Sequence, residues 1–104
     1  MGTEQQLRIT TQTLKVLAAL MSDRQEDISG AEIARSTKLA SGTLYPILFR
    51  LEEAGWVKSR WEVEDPRELG RPRRRLYEVT GLGVKKARSA FREVTTPLKE
   101  FVWH

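Results

Sequence analysis

The stretch Ser41-Gly42-Thr43-Leu44-Tyr45-Pro46-Ile47-Leu48-Phe49-Arg50-Leu51-Glu52-Glu53-Ala54-Gly55-Trp56 decides how the rest of the chain is read. Leu44, Ile47, Leu48 and Leu51 recur at i, i+3, i+4 and i+7, the spacing of one buried helical face. Ser41 is placed to cap this helix, and Gly55 stands where a left-handed stop is wanted. The opposite side of the wheel carries Gly42, Thr43, Pro46 and Arg50, with Tyr45 at its border. That surface is small, hydroxylated and basic. It begins at a helix N-terminus, where free N–H groups and the helix dipole favour anions such as phosphates. The stretch has the character of the recognition helix of a DNA-binding domain.

Upstream, Ser29-Gly30-Ala31-Glu32 is an S-x-x-E capping box, which predicts a helix to about Lys38 that buries Ile33 and Ala34. Leu39-Ala40 then leads directly into the Ser41 helix, the arrangement of a helix-turn-helix. Before it, Thr10 or Thr11 offers an N-cap for a first helix to about Met21. Its expected core side is Leu14, Leu17, Ala18 and Met21, widened by Val16 and Leu20. The polar start, Met1 to Ile9, carries Leu7 and Ile9 as residues able to dock on a partner, and Ser22 to Asp27 reads as a charged loop.

Downstream, Val57-Lys58-Ser59-Arg60-Trp61-Glu62-Val63 alternates strictly, with Val57, Trp61 and Val63 on the face expected to be buried. Glu64 to Pro72, with two prolines and a glycine, reads as a long hairpin tip. Arg73 to Val79 is the returning strand, with Leu76 or Tyr77, together with Val79, facing inward. Helices followed by a basic-tipped hairpin describe a winged helix. Within the tip, Gly70-Arg71-Pro72-Arg73 presents arginines in a proline-stiffened segment suited to the negative potential of a narrow minor groove. Arg71 and Arg73 are therefore candidate DNA contacts, as are Lys38 and Lys58. Arg74 and Arg75 lie nearer the strand, where packing or sheet-edge solvation competes with a DNA role.

After Thr80, a plausible N-cap, Ala87, Phe91, Val94, Leu98 and Phe101 step by 4, 3, 4 and 3, a short heptad seam. Lys85, Lys86, Arg88 and Arg92 line the other side. Pro97 predicts a helix to about Thr95, a break, and a short final piece ending near Trp103. One small winged domain cannot bury both this seam and its neighbours' faces, so the surplus predicts a homodimer through Leu14, Ala87, Phe91, Val94, Leu98 and Phe101. Phe91, Phe101 and Trp103 are candidates for lining an effector pocket. The expected organisation is mainly α with a small β-hairpin wing. Residues 1–80 form a winged helix-turn-helix and residues 81–104 a C-terminal dimerisation helix.

Composition narrows the function classes. The chain has 104 residues, enough for one domain, and no cysteine, which excludes disulfides and thiolate metal sites. Its one histidine is His104. No Gly-rich phosphate loop follows a strand, no carboxylate pair converges, and no catalytic role, metal or cofactor can be assigned. No apolar run approaches the ~20 residues of a membrane span and no secretory pattern is visible, so a soluble cytoplasmic protein is expected. The formal charge of +4, from 18 basic and 14 acidic residues, is modest. Its distribution matters more, because four arginines fall within Arg71–Arg75.

Thr43 to Trp56 resembles the PadR family of transcriptional regulators. The likeness extends back to Ser29-Gly30-Ala31-Glu32-Ile33 and forward through Gly70 to Thr80 and Gly83. A single C-terminal helix implies the short subgroup. The resemblance implies a homodimeric winged-helix repressor of a nearby promoter, often responsive to small aromatic or planar compounds. It places Ser41, Gly42, Thr43 and Tyr45 at the major groove or its phosphates, and makes Gly70–Arg73 the wing. Phe49 stands where the family is more often polar. It could touch a thymine methyl, cover the wing base, or be a plain surface residue. Gly81-Leu82 replaces a usual acidic pair, and Pro97 is also a departure. The alternative reading is a winged-helix interaction module with no operator of its own.

Overall fold

The computed structural model describes residues 9–22 and 27–102, with side chains to Val94. In chain order the elements are α1 (Thr11–Leu20), β1 (Ile28–Ser29), α2 (Gly30–Thr37), α3 (Ser41–Glu53), β2 (Val57–Trp61), α4 (Pro66–Leu69), β3 (Arg75–Val79) and α5 (Gly81–Val102). The strands form one antiparallel sheet in the order β1-β3-β2. This is a winged helix: the helices α1, α2 and α3, a small sheet and a basic hairpin, followed by α5.

The α3 stripe is the centre of the core. Leu44, Ile47, Leu48 and Leu51 are all buried, against Val16, Leu17 and Leu20 of α1, Ile28, Ile33, Val57, Tyr77 and Ala87. The helix ends as its residues require. Gly55 takes φ +81°, its N–H donates to the Glu52 carbonyl, and the Trp56 N–H donates to the Leu51 carbonyl, a Schellman stop. The start differs from the sequence reading. The N-cap is Ala40, without a side-chain bond, and Ser41 is already helical. Ala40 is in extended backbone, and its carbonyl accepts from the Thr43 and Leu44 N–H groups. The Ser41 and Gly42 N–H groups, at the very start of α3, are left for solvent or a ligand.

The predicted capping box of α2 is present. Ser29 Oγ accepts from the Glu32 N–H at 3.2 Å, and Glu32 Oε1 accepts from the Ser29 N–H at 3.0 Å. Lys38 ends α2 in the left-handed region at φ 62°, which turns the chain through Leu39-Ala40 into α3. Ile33 is buried as expected, while Ala34 is half-buried.

Three expectations are corrected. The buried face of α1 is Thr13, Val16, Leu17, Ala19 and Leu20, with Ala18 exposed and Leu14 and Met21 half-buried. Two overlapping apolar stripes competed, and Thr13 disguised the right one. Its hydroxyl is within hydrogen-bond distance of Thr10 Oγ1, at 3.0 Å, so a polar residue sits in the core without an orphaned group. Of the β2 face, only Val57 is buried. Trp61 is 55% exposed, on an open groove shared with the start of α2 and with Tyr45, and Val63, beyond the end of β2, is 79% exposed. Finally, α5 runs unbroken through Pro97. Proline removes one backbone bond, and a long helix bends at such a point more readily than it ends.

The first turns of α5 belong to the same core as residues preceding them. Thr80 Oγ1 accepts from the Gly83 N–H at 3.0 Å and donates to the Gly55 carbonyl at 2.7 Å, so the expected cap also ties α5 to the end of α3. Gly83 lies against the Trp56 carbonyl so closely that any Cβ there would collide with it.

Candidate nucleic-acid interface

Burial of the α3 stripe forces its other residues outward. Ser41, Gly42, Thr43, Tyr45, Pro46 and Arg50 are all exposed on one side of the domain, together with Phe49 at 64% exposure. Nothing lies within 4 Å of where a Gly42 Cβ would stand, so the helix start is open. Tyr45 is seated by a neighbour: its hydroxyl and ring lie over Gly30 at the start of α2, where a side chain would meet the phenol.

Across from α3, the wing is pinned at its base by one carboxylate. Glu62 Oε1 and Oε2 accept from the two terminal nitrogens of Arg71 at 2.7 and 3.0 Å, and Oε1 also accepts from the Arg74 N–H at 2.9 Å. The Arg71 hydrogen bonds, then the Arg74 backbone bond, hold the Glu62 carboxyl down at about 2. Arg71 is raised in turn by the same pair. Within the tip, Asp65 and Pro66 start the short α4, and Gly70 closes it at φ +71°. Arg73 is exposed, with its Nε donating to the Glu64 carbonyl at 2.9 Å.

Arg75 binds the wing to α3. Its Nε donates to Ser59 Oγ at 3.0 Å, Ser59 Oγ donates to Glu52 Oε2 of α3 at 2.8 Å, and its guanidinium lies 5.3 Å from the centre of the Trp61 ring. A groove of about 410 Å³ lies between the start of α2, α3 and the wing, lined by Gly30, Ala31, Tyr45, Trp61, Arg74 and Tyr77 among others. Burial pushes the Tyr77 hydroxyl up from its ordinary value.

The structure brings together most, but not all, of the residues named from sequence. Ser41, Gly42, Thr43, Tyr45, Pro46 and Arg50 share one face of α3. Lys38 is exposed at the turn that precedes it. Arg71 is half-buried and occupied by Glu62, so it shapes the wing. Lys58 alternates away from Ser59, which bonds α3, so it lies on the other face of the sheet, 3.6 Å from Glu78. Two residues gain weight: Arg74, exposed on the groove, and Phe49, exposed on α3. Among the residues named for a dimer, Ala87 is fully buried in its own domain, Leu14 and Phe91 are half-buried, and Val94 is 47% exposed. Ala87 is therefore a core residue, because the seam's first turn faces α1 and β3. Leu7, Trp103, His104 and the side chains of Leu98 and Phe101 lie outside the described residues.

Helices α2 and α3, joined by a tight turn with one side of α3 exposed, and a basic wing define a winged helix-turn-helix protein. The family model described as the transcriptional regulator PadR-like family matches residues 18–89, more than half of the chain. The chain belongs to that family, one of transcriptional regulators rather than enzymes. Among solved structures it is similar to the PadR family transcription regulator from Clostridium difficile R20291, at 23% identity and TM-score 0.68, covering 89% of this chain and 99% of that one. It is also similar to smu.1704 from Streptococcus mutans UA159, at 27% identity and TM-score 0.65, covering 81% and 76%. A mutant of S. aureus MepR bound to an oligodeoxyribonucleotide shares the fold at 23% identity and TM-score 0.65, covering 88% and 64%. The chain thus spans just under two thirds of the MepR chains it matches. No curated protein matches the chain. Among the described residues, no helix is long and apolar enough to cross a membrane.

Proposed function

We propose that the protein is a cytoplasmic, homodimeric repressor that binds a pseudo-palindromic operator through α3 and the wing. The observation that carries this reading is the open face of α3. Ser41, Gly42, Thr43 and Tyr45 are exposed at an N-terminus with no side-chain cap, Arg50 is exposed in the last turn of the same helix, and the wing adds Arg74 across the groove from Tyr45 and the exposed Arg73. Uncapped N–H groups and hydroxyls suit phosphate oxygens, and Arg73 suits the adjoining minor groove. The oligodeoxyribonucleotide bound to the MepR mutant supports the same use of this fold. Phosphate contacts supply most of the affinity, so binding falls steeply with salt.

Residues 81–104 act as the dimerisation element, with exposed Val94 and half-buried Phe91 and Leu14 offering the apolar surface toward a second copy. Two recognition helices about one helical turn apart then match two half-sites. A small aromatic compound bound near Phe91, Phe101 and Trp103 would change that spacing and release the DNA. The test is binding to the DNA upstream of the protein's own gene, across several salt concentrations, for wild type, Tyr45→Ala and Arg73→Ala. Tight, salt-sensitive binding to one pseudo-palindrome, weakened by both changes, is expected. Equal, weak binding to every sequence, indifferent to Tyr45, would refute the operator reading and favour an interaction module.

A further inference from the structure

At 3.6 residues per turn, the direction opposite the buried Leu44, Ile47, Leu48 and Leu51 is occupied by Gly42, Pro46, Phe49 and Glu53. All four are exposed. The hydrogen-bonding side chains of α3 stand to either side of this line, Thr43 and Arg50 on one flank and Ser41 and Tyr45 on the other. Over the first nine residues of α3, the centre line therefore carries no side-chain donor or acceptor. Its one large group is Phe49, which is 64% exposed and so does not cover the wing base.

A phenyl ring cannot answer the donors and acceptors on base edges in the major groove, and pressing it on them leaves them dehydrated and unpaired. One base presents an apolar group there: thymine, through its 5-methyl. We infer that Phe49 is a specificity-determining residue that packs on the 5-methyl group of a thymine in each half-site. The inference rests on the operator reading above and adds which base the centre of α3 selects, and by what contact. The polar residues on its flanks then hold register on the backbone and edges while the ring discriminates.

Uracil in place of thymine removes that methyl and keeps base pairing, so it isolates the contact. The full chain would be used to select duplexes from a randomised pool, and each thymine of the selected site would then be replaced by uracil in turn. One thymine per half-site is expected to be sensitive, with binding weakened about fourfold per methyl. Phe49→Ala, at an exposed position, is expected to melt like the wild type and to bind the thymine and uracil duplexes equally. Phe49→Asn, taken through selection again, is expected to lose the thymine preference at that position. Specific binding with no sensitive thymine, sensitivity that persists in Phe49→Ala, or a thymine preference retained by Phe49→Asn each overturns the inference and leaves the operator reading standing. Absence of any selected sequence with the wild type overturns both.

Discussion

Replacing Gly30 by alanine separates stability from DNA binding. Gly30 is the first residue of α2 and has no positive φ, so its backbone accepts a side chain. The added methyl would run into the Tyr45 hydroxyl and come within 3.0 Å of ring atoms Cε1 and Cζ. The obstacle is the end of a side chain that is 44% exposed, so it can swing toward solvent. Moving the ring off its seat costs about 0.5–1.5 kcal/mol if a poor rotamer results. Alanine offsets up to about 1 kcal/mol of that through helix propensity, less in a first turn. The net change in stability is within about 1 kcal/mol, a shift in Tm of at most about 8 °C. DNA binding changes more. A hydrogen bond from the phenol to a phosphate is worth about 1.5–3 kcal/mol, so displacing it weakens operator binding roughly tenfold or more per site. Thermal melts at fixed protein concentration and fluorescence anisotropy with a labelled operator measure the two effects. A loss of more than about 3 kcal/mol would show that Tyr45 cannot move, and unchanged affinity would show that its seat is not used for DNA; either refutes the reasoning.

Gly83→Ala meets backbone instead. The Trp56 carbonyl it would strike also accepts from the Thr80 N–H at 2.9 Å, so relief breaks that bond, and a loss of about 2–3 kcal/mol is expected in urea melts. Thr80→Ala removes the α5 cap and the tie to Gly55, and should cost about 1 kcal/mol by the same measurement. Glu62, lowered from 4.5 to about 2, favours its charged form in the folded wing. The order it confers is therefore complete above pH 4.5 and is lost as pH falls toward 2. The Arg74 amide resonance should report that transition in NMR titrations, and Glu62→Gln should abolish it while the α3 signals persist.

Much of the fold was legible because its determinants are neighbours in the chain. The capping box at Ser29, the stripe of α3 and the stop at Gly55 each depend on residues a few positions apart, and the structure contains all three. The Ser41 cap failed on a local competition. Ala40, already in extended backbone, takes the capping position, which leaves Ser41 inside the helix. The two-residue β1 and the one-turn α4 are too short to leave a periodic signal.

The sequence alone determined the winged-helix plan, the presence of α3 and which of its residues face outward, because a 3.6-residue period converts spacing directly into direction. Tertiary structure alone decided what the basic residues do. Arg71, Arg73, Arg74 and Arg75 are nearly indistinguishable as a run of charge. Yet Arg71 is held by Glu62 across the hairpin, Arg75 by Ser59 and Trp61, and Arg74 is left exposed beside the groove. Strand register, not composition, selects each partner. A guanidinium already committed to a carboxylate must give up that pair before it can neutralise a phosphate.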